Sequence, residues 1–272
     1  MTPGRGLWML VVMGGLATAC AASGRTYVAD EPPPPASTNL VELDFEDRAA
    51  PVGEIVPSVQ NTGTGRLYSE FVTRAGGRVL RAEGSGSGYA LRFPGLDMGL
   101  DAPAAMLLLR SRDAEDFLSP GSEDFAFGAD VLLDEESEDA PTDNGNNVVQ
   151  RGLYEDDVQY KLQVDHGSLS CRIAGTDGAA VVTAPVVEPG EWYRVSCERG
   201  NDEVVLSWEP LGDSSEEAGS TVQRSTVGDV TFAEGTPFVV GGKLDGNGQV
   251  TVEATDQFNG VIDNVWFTLE DS

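Results

Sequence analysis

The chain has 272 residues, 40% of them hydrophobic, which is ample for a large core. Its 45 acidic residues against 17 basic ones give a net charge of −28. That balance opposes nucleic acid, anionic lipid surfaces and acidic polysaccharides, whose negative groups are neutralised by Lys and Arg.

In chain order, Arg5 precedes an uncharged apolar run from Leu7 to Leu16, and Ala17-Thr18-Ala19 follows as a small-residue cleavage pattern. This order predicts a secretory signal over 1–19. The run is shorter than the roughly 20 residues of a membrane-spanning helix, and no later stretch qualifies. Leu16-Ala17-Thr18-Ala19-Cys20 resembles the bacterial lipobox, although Ala17 stands where that family prefers Leu. The resemblance implies lipidation of Cys20, with membrane contact only through that anchor. Ordinary cleavage after Ala19 and secretion is the alternative. Residues 20–38 contain Pro32-Pro33-Pro34-Pro35 and read as an extended spacer ahead of one domain over 39–272. If Cys20 carries lipid, Cys171 and Cys197 remain as an even pair. Export permits a disulfide between them, the alternative being two buried thiols.

From residue 39 on, helical periodicity is almost absent and strand alternation recurs. Leu43 and Phe45 alternate with Glu42, Asp44 and Glu46. Phe125, Phe127, Ala129 and Val131 share a face, as do Tyr160, Leu162 and Val164, then Leu169, Cys171 and Ile173. Tyr193, Val195 and Cys197 form another set, Val204, Leu206 and Trp208 the next. Val261, Val265, Phe267 and Leu269 are expected on one side of the last strand. Asp165-His166-Gly167 reads as a hairpin turn, and Gly84-Ser85-Gly86-Ser87-Gly88 and Asp245-Gly246-Asn247-Gly248 as further turns. Residues 134–147 are acidic and turn-rich and read as a solvated loop. Evenly spaced short strands predict an all-β sandwich or barrel.

Leu43-Asp44-Phe45-Glu46-Asp47, Gly88 to Phe93, Phe125 to Val131, Pro189 to Val195, Val204 to Trp208 and Phe258 to Val265 together resemble a laminin-G-like domain. The resemblance implies the concanavalin A-like jelly roll, two antiparallel sheets packed face to face, across residues 40–270.

Several chemistries can be weighed on that frame. Glu42-Leu43-Asp44-Phe45-Glu46 has the spacing of the catalytic strand of retaining glucanases of the same superfamily, where paired carboxylates serve as nucleophile and acid/base. Here it opens the domain, whereas the glucanase strand lies mid-domain. His166, the sole histidine, with Gln150-Arg151 and Tyr160, resembles the base and neighbours of polysaccharide lyases, whose acidic substrates the net charge opposes. One histidine and two paired cysteines exclude a zinc site. By resemblance a structural calcium would take Asp263 as ligand with Asp44 or Asp47 as helper; the alternative is that Asp263 caps a strand or pairs with an Arg. The stretch Asp143-Asn144-Gly145-Asn146-Asn147 also carries ligand-type side chains but reads as an ordinary turn. For a glycan, Trp192, Tyr193, Trp208, Tyr154 and Trp266 are stacking candidates. Most of these lie in alternating strands and are expected in the core. The sequence favours a non-catalytic module binding glycan or protein on the extracellular face of the envelope, over a glycoside hydrolase or lyase using Glu42, Glu46 or His166, and over a purely structural envelope protein.

Overall fold

The hairpin at Asp165-His166-Gly167 sets the pattern for the molecule. In the computed structural model His166 and Gly167 have φ of 49° and 72°, both in the left-handed region that a two-residue primed turn demands. The flanking strands pair in register from Gln159↔Ala174 to Asp165↔Ser168. The structure describes residues 39–46, 50–97, 99, 101–134, 145–200, 202–212, 217–251 and 255–270. Residues 37–272 form one unit.

Among the described residues fifteen strands, numbered in chain order, make two sheets. The first holds β1 (Val41–Leu43), β3 (Leu80–Glu83), β4 (Tyr89–Arg92), β6 (Phe125–Leu133), β11 (Trp192–Gly200), β12 (Glu203–Leu211), β13 (Gly219–Arg224) and β15 (Gly260–Leu269). Their order is β13-β12-β11-β6-β15-β4-β3, with β1 also on β15. The second holds β2 (Leu67–Arg74), β5 (Ala104–Ser111), β7 (Asn146–Arg151), β8 (Gln159–Asp165), β9 (Ser168–Gly175), β10 (Gly178–Val186) and β14 (Phe238–Val240), in the order β10-β9-β8-β7-β14-β5-β2. The expected all-β sandwich of two antiparallel sheets is therefore the observed one.

The alternating apolar sets meet between the sheets. Tyr160 is fully buried among Phe125, Phe127, Phe232, Phe238 and Phe267, ring centroids 5.0 to 6.1 Å away. Its hydroxyl donates to Leu118 O at 2.9 Å, satisfying the one polar atom this ring brings into the core. Cys171 on β9 and Cys197 on β11 are bonded across the sandwich, their Cα atoms 5.9 Å apart.

The last strand departs from simple alternation. Its pairing with β6 shifts register between Asp263 and Trp266, and Asn264 has φ of 46°. This bulge adds one residue to β15 and reverses which side chains face inward. Val265 and Phe267 enter the core, whereas Val261 packs on the outer face with Ala82 and Ala90. The expectation that Val261 shares their face is corrected accordingly.

Candidate functional site

The outer face of the second sheet is covered in part by residues 241–251 and 255–259, between β14 and β15. Met106 and Leu108 of β5 and Val239 of β14 point outward, and Leu244 and Val250 close over them as a small separate core. Beside this cover, the β7–β8 turn and the β13–β14 connection wall a cleft of about 470 Å³. Leu153, Val158, Phe232, Pro237, Val239 and Leu244 give it an apolar lining. Gln150, Asp156, Asp157, Glu234, Asp245 and Asn247 add amides and carboxylates, and no Lys or Arg lines it. A concave apolar surface with a few polar groups is the usual form of a small-ligand site.

The turn at the edge of the cleft is built locally: Asp156 N donates to Leu153 O at 3.1 Å, and Leu153 N donates to Asp156 Oδ2 at 2.7 Å. It presents Tyr154, which is 72% exposed. The Arg172 guanidinium lies 4.7 Å from the Tyr154 ring centroid and donates to Gln159 Oε1 at 2.6 Å. The phenol is thus held by a cation on one side and open to solvent.

Deeper on the same face is a polar network. Asn147 and Gln150 are buried on β7, and Asn147 Nδ2 donates to Gln150 Oε1 and, at 3.5 Å, to Asp256 Oδ2. Lys243 Nζ lies 3.0 Å from the same Asp256 oxygen. Burial holds the Lys161 ammonium below its ordinary pKa, the Asp256 carboxylate opposing that shift and Lys243 adding to it. Asn146 and Asn147, read from sequence as part of a solvated loop, are instead the buried start of β7; Asp143 and Asn144 lie outside the described residues.

The remaining candidates are spread over the molecule. Strand β1 ends at Leu43 and Phe45 has φ of 53°, so Glu42, Asp44 and Glu46 do not continue along one strand. Glu42 is exposed opposite Trp266. Glu46 Oε1 accepts from Tyr89 N at 3.0 Å and Asp44 Oδ1 from Glu46 N at 3.3 Å. Gln150 faces outward near the cleft, Arg151 and Tyr160 are buried inside the sandwich, and His166 caps the hairpin beside Asp165. The structure therefore does not bring the lyase-like set together, because neighbouring residues of a strand project to opposite faces.

Asp263 is opposite Asp130 on the outer face of the first sheet. Its Oδ2 accepts from Ser85 N at 2.9 Å and its Oδ1 from Asn264 N at 2.8 Å. Arg194 grips Asp130 with two bonds, of 2.8 and 3.0 Å. Among the described residues no group of three or more His, Cys, Asp or Glu is arranged to hold a metal ion; Asp47 and Cys20 lie outside them. Each oxygen of Asp263 thus accepts one backbone N–H.

Of the aromatic candidates, Tyr193 is in the core and Trp208 packs against it. Trp192 packs on the outer face of the first sheet with Ala82, Ala90 and Val261. Trp266 lies on that face too, over Gly128, where a Cβ would come within 3.0 Å of two indole atoms. The sequence missed the cleft because its parts are three connections far apart in the chain. Tyr154 in an acidic, glycine-started turn was the one local signal.

Comparison with known proteins agrees with this architecture. Residues 148–269 match the family described as Laminin G domain. Comparison with curated proteins finds no match. Among solved structures, the binding domain of Paraclostridial Mosquitocidal Protein 1 superposes with a TM-score of 0.54 at 11% identity, over 86% of this chain and 49% of that one. The binding domain of botulinum neurotoxin serotype D/C gives 0.52 at 7% identity, over 86% and 50%. Domain 4 of an extracellular arabinanase from Geobacillus stearothermophilus, solved with arabinotriose, gives 0.52 at 14% identity, over 86% and 93%. The chain spans about half the length of the toxin binding domains it matches. The chain thus folds as a two-sheet β-sandwich whose residues 148–269 are similar to a laminin G domain.

Proposed function

We propose that this chain is an exported, lipid-anchored, non-catalytic module whose cleft binds a neutral glycan outside the cell. The observation that carries the reading is the cleft itself, an apolar floor rimmed by amides and carboxylates with the exposed Tyr154 ring in its edge turn. A sugar offers an apolar ring face to such a floor and many hydroxyl donors to such a rim. Four carboxylates and no cation in the lining favour a neutral ligand over an acidic one. The arabinanase domain of similar fold, seen with arabinotriose, lends support at the level of fold. Export and anchoring rest on the order Arg5, apolar run, Ala19, Cys20, and the buried Cys171–Cys197 bond is consistent with an oxidising compartment.

The test is an array of neutral and acidic oligosaccharides, with a hydrolysis and elimination screen run on the same panel. Binding to neutral glycans without turnover is expected. Turnover that disappears in Glu42→Gln or His166→Ala would replace this reading with an enzymatic one. Processing that is unaffected by globomycin would remove the lipid anchor and leave a secreted module.

A further inference from the structure

The chain has two lysines, Lys161 and Lys243, 82 positions apart in sequence, and the fold brings both to one carboxylate, Asp256. The third member of this group is Asn147. Asp256 Oδ2 is 3.0 Å from Lys243 Nζ and 3.5 Å from Asn147 Nδ2, so one oxygen touches an ammonium and a carboxamide at once. Asn147 is fully buried, and the side chains of Asp256 and Lys243 are 10% and 21% exposed. Two oxygens here, Asn147 Oδ1 and Asp256 Oδ1, have no hydrogen-bond partner among the described residues. An unsatisfied buried acceptor is costly in a folded protein and calls for a reason. So does the accumulation of two ammonium groups around a single carboxylate on an otherwise acidic chain.

We propose that Lys243 and Asn147 join after folding through an intramolecular amide bond between Nζ and Cγ, with Asp256 as the proton carrier. Asp256 takes a proton from the Lys243 ammonium through Oδ2. The freed amine adds to Asn147 Cγ, and the Cγ–Nδ2 bond breaks as Asp256 returns the proton to Nδ2. The nitrogen leaves as ammonia and carries off the remaining proton as ammonium. The net change converts one ammonium side chain and one carboxamide into a secondary amide and an ammonium ion. Nothing is oxidised or reduced and no co-reactant is needed. The geometry suits each step: Asp256 Oδ2 already touches the Lys243 ammonium whose proton it would take and the Asn147 amide nitrogen to which it would return it. Asn147 is held for attack by β7 and by its bond to Gln150, while Asp256 N–H and C=O belong to the covering segment, whose Asp256 O accepts from Asn147 N at 3.0 Å. The bond would fasten residues 241–259 covalently to β7 and fix one wall of the cleft, a useful property in a protein exposed to proteases.

Peptide mapping of the full-length protein by tandem mass spectrometry tests this. Trypsin should release a branched species joining residues 113–151 to 225–272, uncut at Lys243 and lighter than the two peptides together by one ammonia. Asp256→Asn should keep the Cys171–Cys197 bond and the native circular dichroism but give the two peptides separately, as should Lys243→Arg and Asn147→Ala. Lys161→Arg should still give the branched species. Separate peptides from the wild-type protein would overturn the proposal. So would ammonia loss confined to the Asn147 peptide, the mark of a succinimide, or a branch through Lys161.

Discussion

Ser85 ties together two carboxylates that stand opposite each other on neighbouring strands: its amide donates to Asp263 Oδ2 at 2.9 Å and its hydroxyl to Asp130 Oδ2 at 2.7 Å. Asn264 adds a bond to Asp130 at 2.8 Å, and Arg194 pairs with Asp130 through two bonds. Burial, opposed by the amides of Ser85 and Asn264 and reinforced by the Asp130 charge, pushes its carboxyl up to about 6.

A pH dependence of defined sign follows. The folded protein keeps a proton on Asp263 up to about pH 6, whereas the unfolded chain releases it near 3.9. Between those values the native state binds more protons, so this group's contribution falls as pH rises through the window. The full shift corresponds to at most about 3 kcal/mol. Urea unfolding of the wild type and Asp263→Asn at pH 5 and pH 7 isolates it, because the other carboxylates cancel in the difference. The wild type is expected to gain more on acidification than the variant; equal changes in the two proteins would sink the assignment.

The Arg194–Asp130 pair lends itself to a double-mutant cycle. Asp130 is 1% exposed, while the Arg194 side chain is 52% exposed and therefore partly screened. Arg194→Ala leaves a buried carboxylate with only Ser85 and Asn264 as donors, and should cost about 1–2 kcal/mol after that discount. Asp130→Asn in the Arg194→Ala background should recover part of the loss. Strict additivity in thermal or urea unfolding would mean the pair is not coupled.

The Cys171–Cys197 bond closes a sequence separation of 26 residues and joins the two sheets. Reduction should lower stability by about 3–4 kcal/mol in the chain-entropy account. Denaturant titration with and without reductant measures it. A midpoint that does not move would imply that the sulfurs are thiols in solution.

Much of the architecture could be read from residue order, for a reason visible in particular strands. Tyr160, Leu162 and Val164 alternate with polar residues because the outer face of β8 carries Gln159, Lys161 and Gln163. Strand β5 had no such pattern. Met106, Leu107, Leu108 and Leu109 are all buried because Leu244 and Val250 cover their outer side, so apolar side chains are needed on both faces. Trp266 was expected in the core, yet its position between Val265 and Phe267 already placed it on the opposite face. The bulge at Asn264, which separates Val261 from that set, left no mark in the alternation. The cleft was invisible for a different reason: it is made by connections, whose approach depends on tertiary packing rather than on period.

The most direct test of the central claim is an affinity titration of the best neutral oligosaccharide from the array against the wild type and three variants. Asp157→Ala in the cleft lining and Tyr154→Ala in the turn at its edge should each weaken binding about tenfold or more, ~1.4 kcal/mol. Trp266→Ala, on the outer face of the other sheet, should leave it unchanged. Affinity that survives both cleft substitutions, or falls with Trp266 instead, would contradict the assignment of the cleft as the binding site.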